Sequence, residues 1–372
     1  MRIGIDIGPI TSTRTGVGNY CFYLLKHLLP LAPDDTFHGF ASGRAQVDLG
    51  ELAGRVGHKH VPIPTRILYA VWNALGTPKV DNMLGGVDVY HATNFYLPPT
   101  RTAKTVLTIH DLAFWAKPEW CSPKIVGPFF KAVGHAAKNA DHIMAYSEAT
   151  KRDIVRFLDA NPEKITVAPM AVDEAFAPLP RDEATKRATK DYGVETPFLL
   201  FVSTLEPRKN IPTLLEAFAK IADDIPHNLV LIGSVGWNAE PIFEAIDKLG
   251  LQDRVIRPGF VPHMELPVFY CAADAFVFPT HYEGFGLPLL EALTCGCPVV
   301  TSDNSSVPEV TGDAALASDA NDVDAIAANI LRVLNESDLR EDMISKGQRH
   351  AQRYSWGNMA QATLDVYRSV AL

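Results

Sequence analysis

Ten short apolar runs, each followed by a longer stretch of helical spacing, constrain this chain more than any other feature. The first five are "RIGIDI" (2–7), "VDVYHA" (87–92), "TVLTIH" (105–110), "HIMAYS" (142–147) and "ITVAP" (165–169). The second five are "FLLFVS" (198–203), "NLVLIG" (228–233), "RVIRPG" (254–259), "AFVFP" (275–279) and "PVVTS" (298–302). Runs apolar on both faces and separated by helices read as parallel strands covered on both sides. Two such series predict two doubly wound α/β domains, which a length of 372 residues accommodates. The break falls in "DEAFAPLPRDEATKRATKDYGVETP" (173–197), rich in proline and charge and read as a linker. Expected boundaries are 1–175 and 176–355, with a helix over 356–372, capped by Ser355, that packs back on the first domain. Ligands of open α/β sheets sit beyond the carboxyl ends of the strands, so the expected active site is the cleft between the two domains.

Charge and cysteine content narrow the function classes. Net charge is -9, against a nucleic-acid binder working through a basic surface. The residues up to 175 carry +2 and the remainder -11, so the first half is compatible with an anionic surface or a phosphorylated substrate. Five cysteines without a CxxC pair fit reduced thiols in the cytoplasm. Cys295-Gly-Cys297 reads as small residues packed in a buried turn, since no second ligand pair exists for a metal. No run reaches the ~18–20 apolar residues of a membrane span.

Three strand-end loops of the second half carry candidate chemistry. "STLEPRKN" places Arg208 and Lys209 where a fork and a point charge can neutralise a diphosphate, although an isolated Arg-Lys pair is more often a solvated turn. "LVLIGSVG" ends at Gly233, where backbone can approach a ligand. "EGFGLPLLEAL" leads a glycine-rich loop into a helix start with Pro288 in its opening turn, a site for an anion. Glu283 lies before that helix and Glu291 about one turn inside it. Carboxylates accept hydrogen bonds and so suit vicinal hydroxyls. The three loops together point to a nucleotide sugar, with the diphosphate between the two glutamates.

"EPRKN" followed by "EGFGLPLLEAL", with its E-x7-E spacing, resembles glycosyltransferase family 4, retaining enzymes of the GT-B fold. Supporting pieces, from residue 6 to about 356, include "TGVGNY", "LVLIGSVG" and "GFVPHMELPVFYCAADAFVFPT". The resemblance implies two Rossmann-like domains facing each other across a cleft. It implies that Arg208 and Lys209 bind the donor diphosphate, Glu283 the donor sugar and Glu291 the ribose. Backbone at Phe285, Gly286 and Leu287 would meet sugar and phosphate, and Phe260 and Val261 would hold the base. Gly16 and Gly18, read as a loop before an amphipathic helix, would lie against the phosphates. His110 and Asp111, at a strand's carboxyl end, are the candidate catalytic pair beside Glu283. His110 would contact the transferred sugar, and Asp111 would orient the loop or acceptor. His91 and Asn94 are candidates for the acceptor pocket, although turn-stabilising roles suit them equally. The family's Asn-Gly after the strand at 165–169 is replaced here by Met170-Ala171.

No Asp-x-Asp stands where it would hold Mg²⁺, and the resemblance implies neither metal nor cofactor. Charge on the leaving diphosphate would instead be stabilised by Arg208, Lys209 and the helix start, with domain closure about 173–197 completing the site. The chain looks similar to bacterial mannosyltransferases of polysaccharide and O-antigen assembly. The expected donor is therefore GDP-mannose, with a UDP-sugar as alternative, and the acceptor a polyprenyl-diphosphate-linked saccharide. The expected location is cytoplasmic, peripheral at the inner face of the plasma membrane. A nucleotide-sugar epimerase and a non-catalytic nucleotide-binding module are the rival readings.

Overall fold

The computed structural model describes residues 1–12, 14, 16–259 and 261–372, and every side chain among them except those of Ile125 and Pro128. The chain forms two compact units. One comprises Met1–Trp115, Val126–Met170 and Ser355–Leu372, the other Ala116–Ile125 and Ala171–Tyr354. The change of unit thus falls at Met170/Ala171, and a short piece of the first half, Ala116–Ile125, groups with the second unit.

The first unit is built on a seven-stranded parallel sheet: β1 (Arg2–Asp6), β2 (Thr36–Ser42), β3 (Gly57–Val61), β4 (Val89–Ala92), β5 (Lys104–Thr108), β6 (His142–Ala145) and β7 (Ile165–Val167). Their spatial order is β3-β2-β1-β4-β5-β6-β7. The second unit holds six parallel strands: β8 (Phe198–Val202), β9 (Asn228–Ile232), β10 (Val255–Ile256), β11 (Ala275–Phe278), β12 (Val299–Ser302) and β13 (Ala315–Ser318). They run β10-β9-β8-β11-β12-β13. In both sheets the chain order reverses beside the first strand, at β1/β4 and at β8/β11. Such switch points open a crevice at the strands' carboxyl ends.

Central strands are buried throughout, as the apolar runs require: every residue of β4, β8, β11 and β12 is inside. Three strands escape the apolar pattern. Strand β3 at one edge exposes three of its five residues, β13 at the other has no buried residue, and β2 is broken by His38 and Gly39. The expected run 254–259 supplies only the two residues of β10.

The 173–197 stretch is not a bare linker. A helix forms over Arg181–Tyr192, closed by Gly193 in the left-handed region, and buries Ala184 and Ala188. Helix α1 (Gly16–Leu31) begins at Gly16, so Gly16 and Gly18 lie in its first turn and not in a preceding loop. A Cβ on Gly18 would stand 2.5 Å from Pro9 O, so glycine lets this turn close on the loop after β1. Helix α2 (Thr65–Leu75) and, from Val126 onward, α3 (Pro123–Asn139) follow in the first unit. The second unit contributes α4 (Leu266–Ala272) and α5 (Leu287–Cys295). The final helix, α6 (Trp356–Ala371), is capped by Ser355, whose hydroxyl accepts from Asn358 N. It returns to the first unit, where Trp356 stacks on Tyr23 at 5.2 Å and Tyr367 is fully buried. Cys295 and Cys297 are buried on either side of Gly296, the left-handed cap of α5, and all five cysteines are free.

Candidate active site

The switch point of the second sheet brings together two loops far apart in sequence. After β8 the chain turns through Pro207–Lys209, and after β11 it runs through Thr280–Glu283. The first loop presents Arg208 and Lys209, the second Glu283. Lys209 Nζ donates to Glu283 Oε1 at 2.6 Å, and Arg208 Nη1 to Oε2 at 3.2 Å. Arg208 also donates to Glu206 Oε1 (3.0 Å) and to Tyr282 O (2.9 Å). Thr280 Oγ1 donates to Glu283 Oε1 at 3.0 Å. Lys209 and Glu283 are both buried. Burial alone would raise the pKa of Glu283, but Lys209 and Arg208 outweigh it and hold the carboxyl below its ordinary value. The Lys209 pKa is lowered by burial first and Arg208 second, against the pull of Glu283. The cluster contains two cations and two carboxylates, so the ligand-free site is close to neutral.

The loop after Glu283 is pinned from below. Ser305 Oγ accepts from Glu283 N, and Ser306 Oγ donates to the carbonyls of Glu283 and Phe285 at 2.9 and 2.8 Å. Gly286 sits at φ 97° ahead of α5. Pro288 withholds an N–H, and Leu289 N is given to Gly286 O at 2.9 Å. The amides of Gly286 and Leu287 have no acceptor among the described residues and remain as donors for an anion at the helix start.

Glu291, one turn into α5, is buried with no Lys or Arg paired to it among the described residues. Its Oε2 accepts from Tyr270 OH (2.9 Å), and its Oε1 is 3.0 Å from His263 Nε2. Phe176 packs over His263 at 4.9 Å. The two glutamates are therefore held differently, Glu283 by salt bridges and Glu291 by a phenol and an imidazole. Gly233 adopts φ 146°, and a Cβ there would lie 1.8 Å from Ser203 O. What glycine admits at this point is the neighbouring loop's own backbone. Val261 is buried, and Phe260 lies outside the described residues.

In the first unit, His110 follows β5. Its Nε2 donates to Thr93 O (2.8 Å), so Nδ1 accepts from Tyr146 OH (2.7 Å). Burial lowers its pKa to about 4, leaving a neutral ring packed edge-on by Tyr20 and Phe95. Asp111 accepts from Ala113 N at 3.0 Å and fixes the turn that follows His110. His91 is wholly buried. Its Nδ1 meets Tyr367 OH (2.6 Å) and its Nε2 meets Thr108 Oγ1 (2.7 Å), with Tyr20 OH 2.8 Å from the same hydroxyl. With both nitrogens taken, His91 ties α6 to the sheet and offers nothing to an acceptor. Asn94 is half-buried, just before Phe95 at φ 34°.

Sequence reasoning did not single out the partners. Glu206 and Thr280 around Glu283, His263 and Tyr270 on Glu291, and Tyr146 on His110 all carry site geometry. Glu206 stood in "EPRKN" without a role of its own, and for His263 and Tyr270 the available signal was "HMELPVFY", an imidazole and a phenol seven residues apart at the start of a helix.

The paired Rossmann-like sheets, with an acid-and-base cluster at the switch point of the second, define the class: glycosyltransferases of the GT-B fold. Comparison with known proteins agrees. The family model "Glycosyltransferase Family 4" matches residues 14–176, and "Glycosyl transferases group 1" matches residues 182–350. The O-antigen chain mannosyltransferase B of Escherichia coli is 35% identical over 381 residues, covering 99% of this chain and 100% of that protein. The chain belongs to glycosyltransferase family 4 and is a glycosyltransferase. Among solved structures, sucrose-phosphate synthase from Thermosynechococcus elongatus superposes with a TM-score of 0.78 at 21% identity, covering 99% and 98% of the two chains. An Anabaena HepE protein in complex with UDP-glucose gives 0.77 at 18% identity, covering 99% and 100%. At these identities the likeness speaks for the fold.

Proposed function

We propose that the chain transfers a hexose, mannose from GDP-mannose, to a lipid-linked saccharide in the assembly of a bacterial surface polysaccharide, with retention of configuration. The observation that carries the donor half is the cluster of Arg208, Lys209 and Glu283 at the switch point, beside a helix start with free amides. Mannose, and a role in polysaccharide assembly, rest on the full-length similarity to the O-antigen chain mannosyltransferase. A UDP-sugar is the second reading, supported by the UDP-glucose complex of the Anabaena structure.

On this reading the arriving diphosphate takes over part of the cationic charge now shared with Glu283. The carboxylate is then free to accept hydrogen bonds from the sugar hydroxyls. The bond between the anomeric carbon and the diphosphate oxygen breaks, and its electron pair stays on that oxygen. Arg208, Lys209 and the Gly286 and Leu287 amides stabilise the growing charge. The acceptor hydroxyl forms the new bond on the same face of the sugar and passes its proton to a leaving phosphate oxygen. Glu291 holds the ribose, and neutral His110 serves the transfer step from the first unit without gaining a charge. The residues that offset the diphosphate are all protein cations and amides, so the proposal assigns no metal or cofactor. Among the described residues no helix is long and apolar enough to cross a membrane, and we place the protein at the cytoplasmic membrane face, where a lipid-linked acceptor is exposed.

A panel of labelled nucleotide sugars, incubated with and without membrane extract, tests the reading. Transfer of mannose to lipid from GDP-mannose alone is the expected result. Transfer only from a UDP-sugar supports the second reading, and isomerisation without acceptor would overturn both. Glu291→Ala should weaken donor binding about tenfold or more, whereas His110→Ala should lower turnover ~10–100-fold with donor affinity kept.

A further inference from the structure

Helices α2 and α3 of the first unit enclose a chamber of about 630 Å³ to which the donor chemistry gives no role. Its wall is aromatic. Tyr69 and Tyr96 stack at 3.6 Å with 7° between their planes, and Phe95 meets Phe129 edge-on at 5.4 Å. Phe95 also stands edge-on to His110 at 5.2 Å, so this wall begins beside the candidate catalytic residue. The charged groups at the chamber are cations: Arg66 and Lys131 line it, with Asn73 and His135 beside them, and among the described residues no carboxylate does. Among the described residues neither Arg66 nor Lys131 has an ion-pair partner, unlike the cations of the donor cluster. Elsewhere on α2 and its lead-in, Ile63 and Ile67 are 41% and 48% exposed. The adjoining chamber of about 510 Å³ shares Tyr96, Leu97 and His135 with it but also carries a carboxylate, Asp141, alongside Lys79 and Asn139 in its lining.

An aromatic wall with unpaired cations at its rim is complementary to an amphipathic anion. Burying an alkyl chain against the wall releases its hydration water, and the cations meet phosphate without first breaking a salt bridge. A neutral oligosaccharide leaves the cations unused, and the nucleotide is already assigned to the cluster at the switch point of the second sheet. We infer that this chamber is the acceptor's lipid subsite: it takes an aliphatic chain carrying a diphosphate, the chain against Tyr69, Phe95 and Phe129 and the phosphates at Arg66 and Lys131. The inference rests on the reading of the chain as a transferase whose acceptor is held by the first unit. It adds which chemical part of the acceptor is gripped, and by what.

Farnesyl diphosphate, farnesol and inorganic diphosphate are the probes, titrated against the whole chain in vesicle-free buffer. Farnesyl diphosphate should bind at least tenfold more tightly than either of the others. Ala70 is exposed on α2 and lines the chamber, so Ala70→Trp fills it without disturbing the core, and should weaken farnesyl diphosphate at least tenfold. The double variant Arg66→Gln/Lys131→Gln should weaken farnesyl diphosphate about tenfold and farnesol less than twofold. Labelled nucleotide-sugar binding should be unchanged in all variants, which also shows that they are folded. Equal affinity of wild type and Ala70→Trp for farnesyl diphosphate would sink the assignment. So would binding to anionic phospholipid vesicles in the absence of any farnesyl diphosphate binding, a result that marks a membrane-facing surface instead. Transfer to a soluble saccharide, with farnesyl diphosphate ignored, overturns only this inference. Failure to bind or turn over any nucleotide sugar overturns the transferase reading itself.

Discussion

The two units bury polar groups to a similar depth and satisfy them in opposite ways. In the first, Tyr367, His91, Thr108 and Tyr20 form a hydrogen-bonded chain, and Tyr146 and His110 a second one beside it, with every member neutral. In the second, Glu206, Arg208, Glu283 and Lys209 form a cluster with every member charged. A neutral network asks little of its surroundings, because no ion has been taken out of water. A buried ionic cluster loses several kcal/mol per ion to desolvation and recovers it only through good geometry. Such a cluster is weak evidence for stability. It makes sense where an anionic ligand will later change partners with it.

The largest break in this comparison comes from one atom exchange. Glu283→Gln leaves Lys209 buried with no full charge opposite it, and Arg208 with Glu206 alone. Removal of one partner of a buried pair costs ~3–5 kcal/mol, which should appear in the denaturant midpoint of the second unit. Donor turnover should fall ~100-fold or more, since the same oxygens are assigned to the sugar. A variant that unfolded like wild type would show the cluster to be incidental.

The neutral network makes its own prediction through pH. Burial lowers His91 to about 3 and His110 to about 4, from an ordinary value near 6.5. The unfolded chain therefore binds two protons in the window from about 6.5 down to about 4 that the folded chain refuses, and stability is lost as pH falls. Asp6 acts the other way. Burial raises it to about 6 against one hydrogen bond from Gly8, so the folded chain binds a proton first and gains as pH falls from about 6 towards 3.8. These two histidines and Asp6 leave a balance of one proton, or ~1.4 kcal/mol lost per pH unit between 6 and 4, and His38, His142 and His281, each also lowered by burial, add to the loss. Asp6→Asn should steepen the loss by about one proton, ~1.4 kcal/mol per pH unit, and a slope left unchanged would show that burial does not hold Asp6 protonated.

Much of this architecture could be read from the sequence, and what could not has physical reasons. Runs such as "FLLFVS" announce themselves because a central parallel strand needs apolar residues on both faces. Edge strand β3, "GHKHV", needs them on neither. Strand β2 is disguised by Gly39, which is there because a Cβ would stand 2.4 Å from Ile7 Cδ1, a contact between separate elements. The helix Arg181–Tyr192 docks through two alanines, so its charge reads as linker. Its bracketing by Pro180 and Gly193 was the overlooked signal. The site loops were legible as loops, because strand-end glycines and basic pairs are local. Their pairings were not: Arg208 and Glu283 are 75 residues apart, and nothing local says that a carboxylate assigned to a sugar rests on the cations assigned to a phosphate.

A smaller effect tests the neutral chain at a single bond. Tyr367→Phe keeps the packing of α6 and removes the hydroxyl at His91 Nδ1. A buried ring nitrogen left unpartnered costs ~1–3 kcal/mol, so the midpoint of the first unit should drop by that amount at pH 7. If Tyr367→Phe were neutral there, α6 would be held by its apolar face alone, and His91 would be a passenger of that packing.

The smallest expected effect separates charge from burial. Arg332 and Glu336 form an i,i+4 pair at 3.0 Å, a distance comparable with the bridges of the donor cluster, but both side chains are about half exposed. Water already screens each of them, so pairing gains little over solvation, ~0.3–0.5 kcal/mol at most. Glu336→Gln should therefore move the second unit's midpoint roughly tenfold less than Glu283→Gln, although each removes one carboxylate from an arginine. The same substitution in 1 M salt should lose even that remainder, while the Glu283→Gln effect persists because its ions lie out of reach of the screening atmosphere. Similar costs at the two sites would mean that the cluster at the switch point is an ordinary surface pair that happens to lie deep. A large difference makes burial the quantity that turns a common ion pair into a site able to trade a carboxylate for a diphosphate.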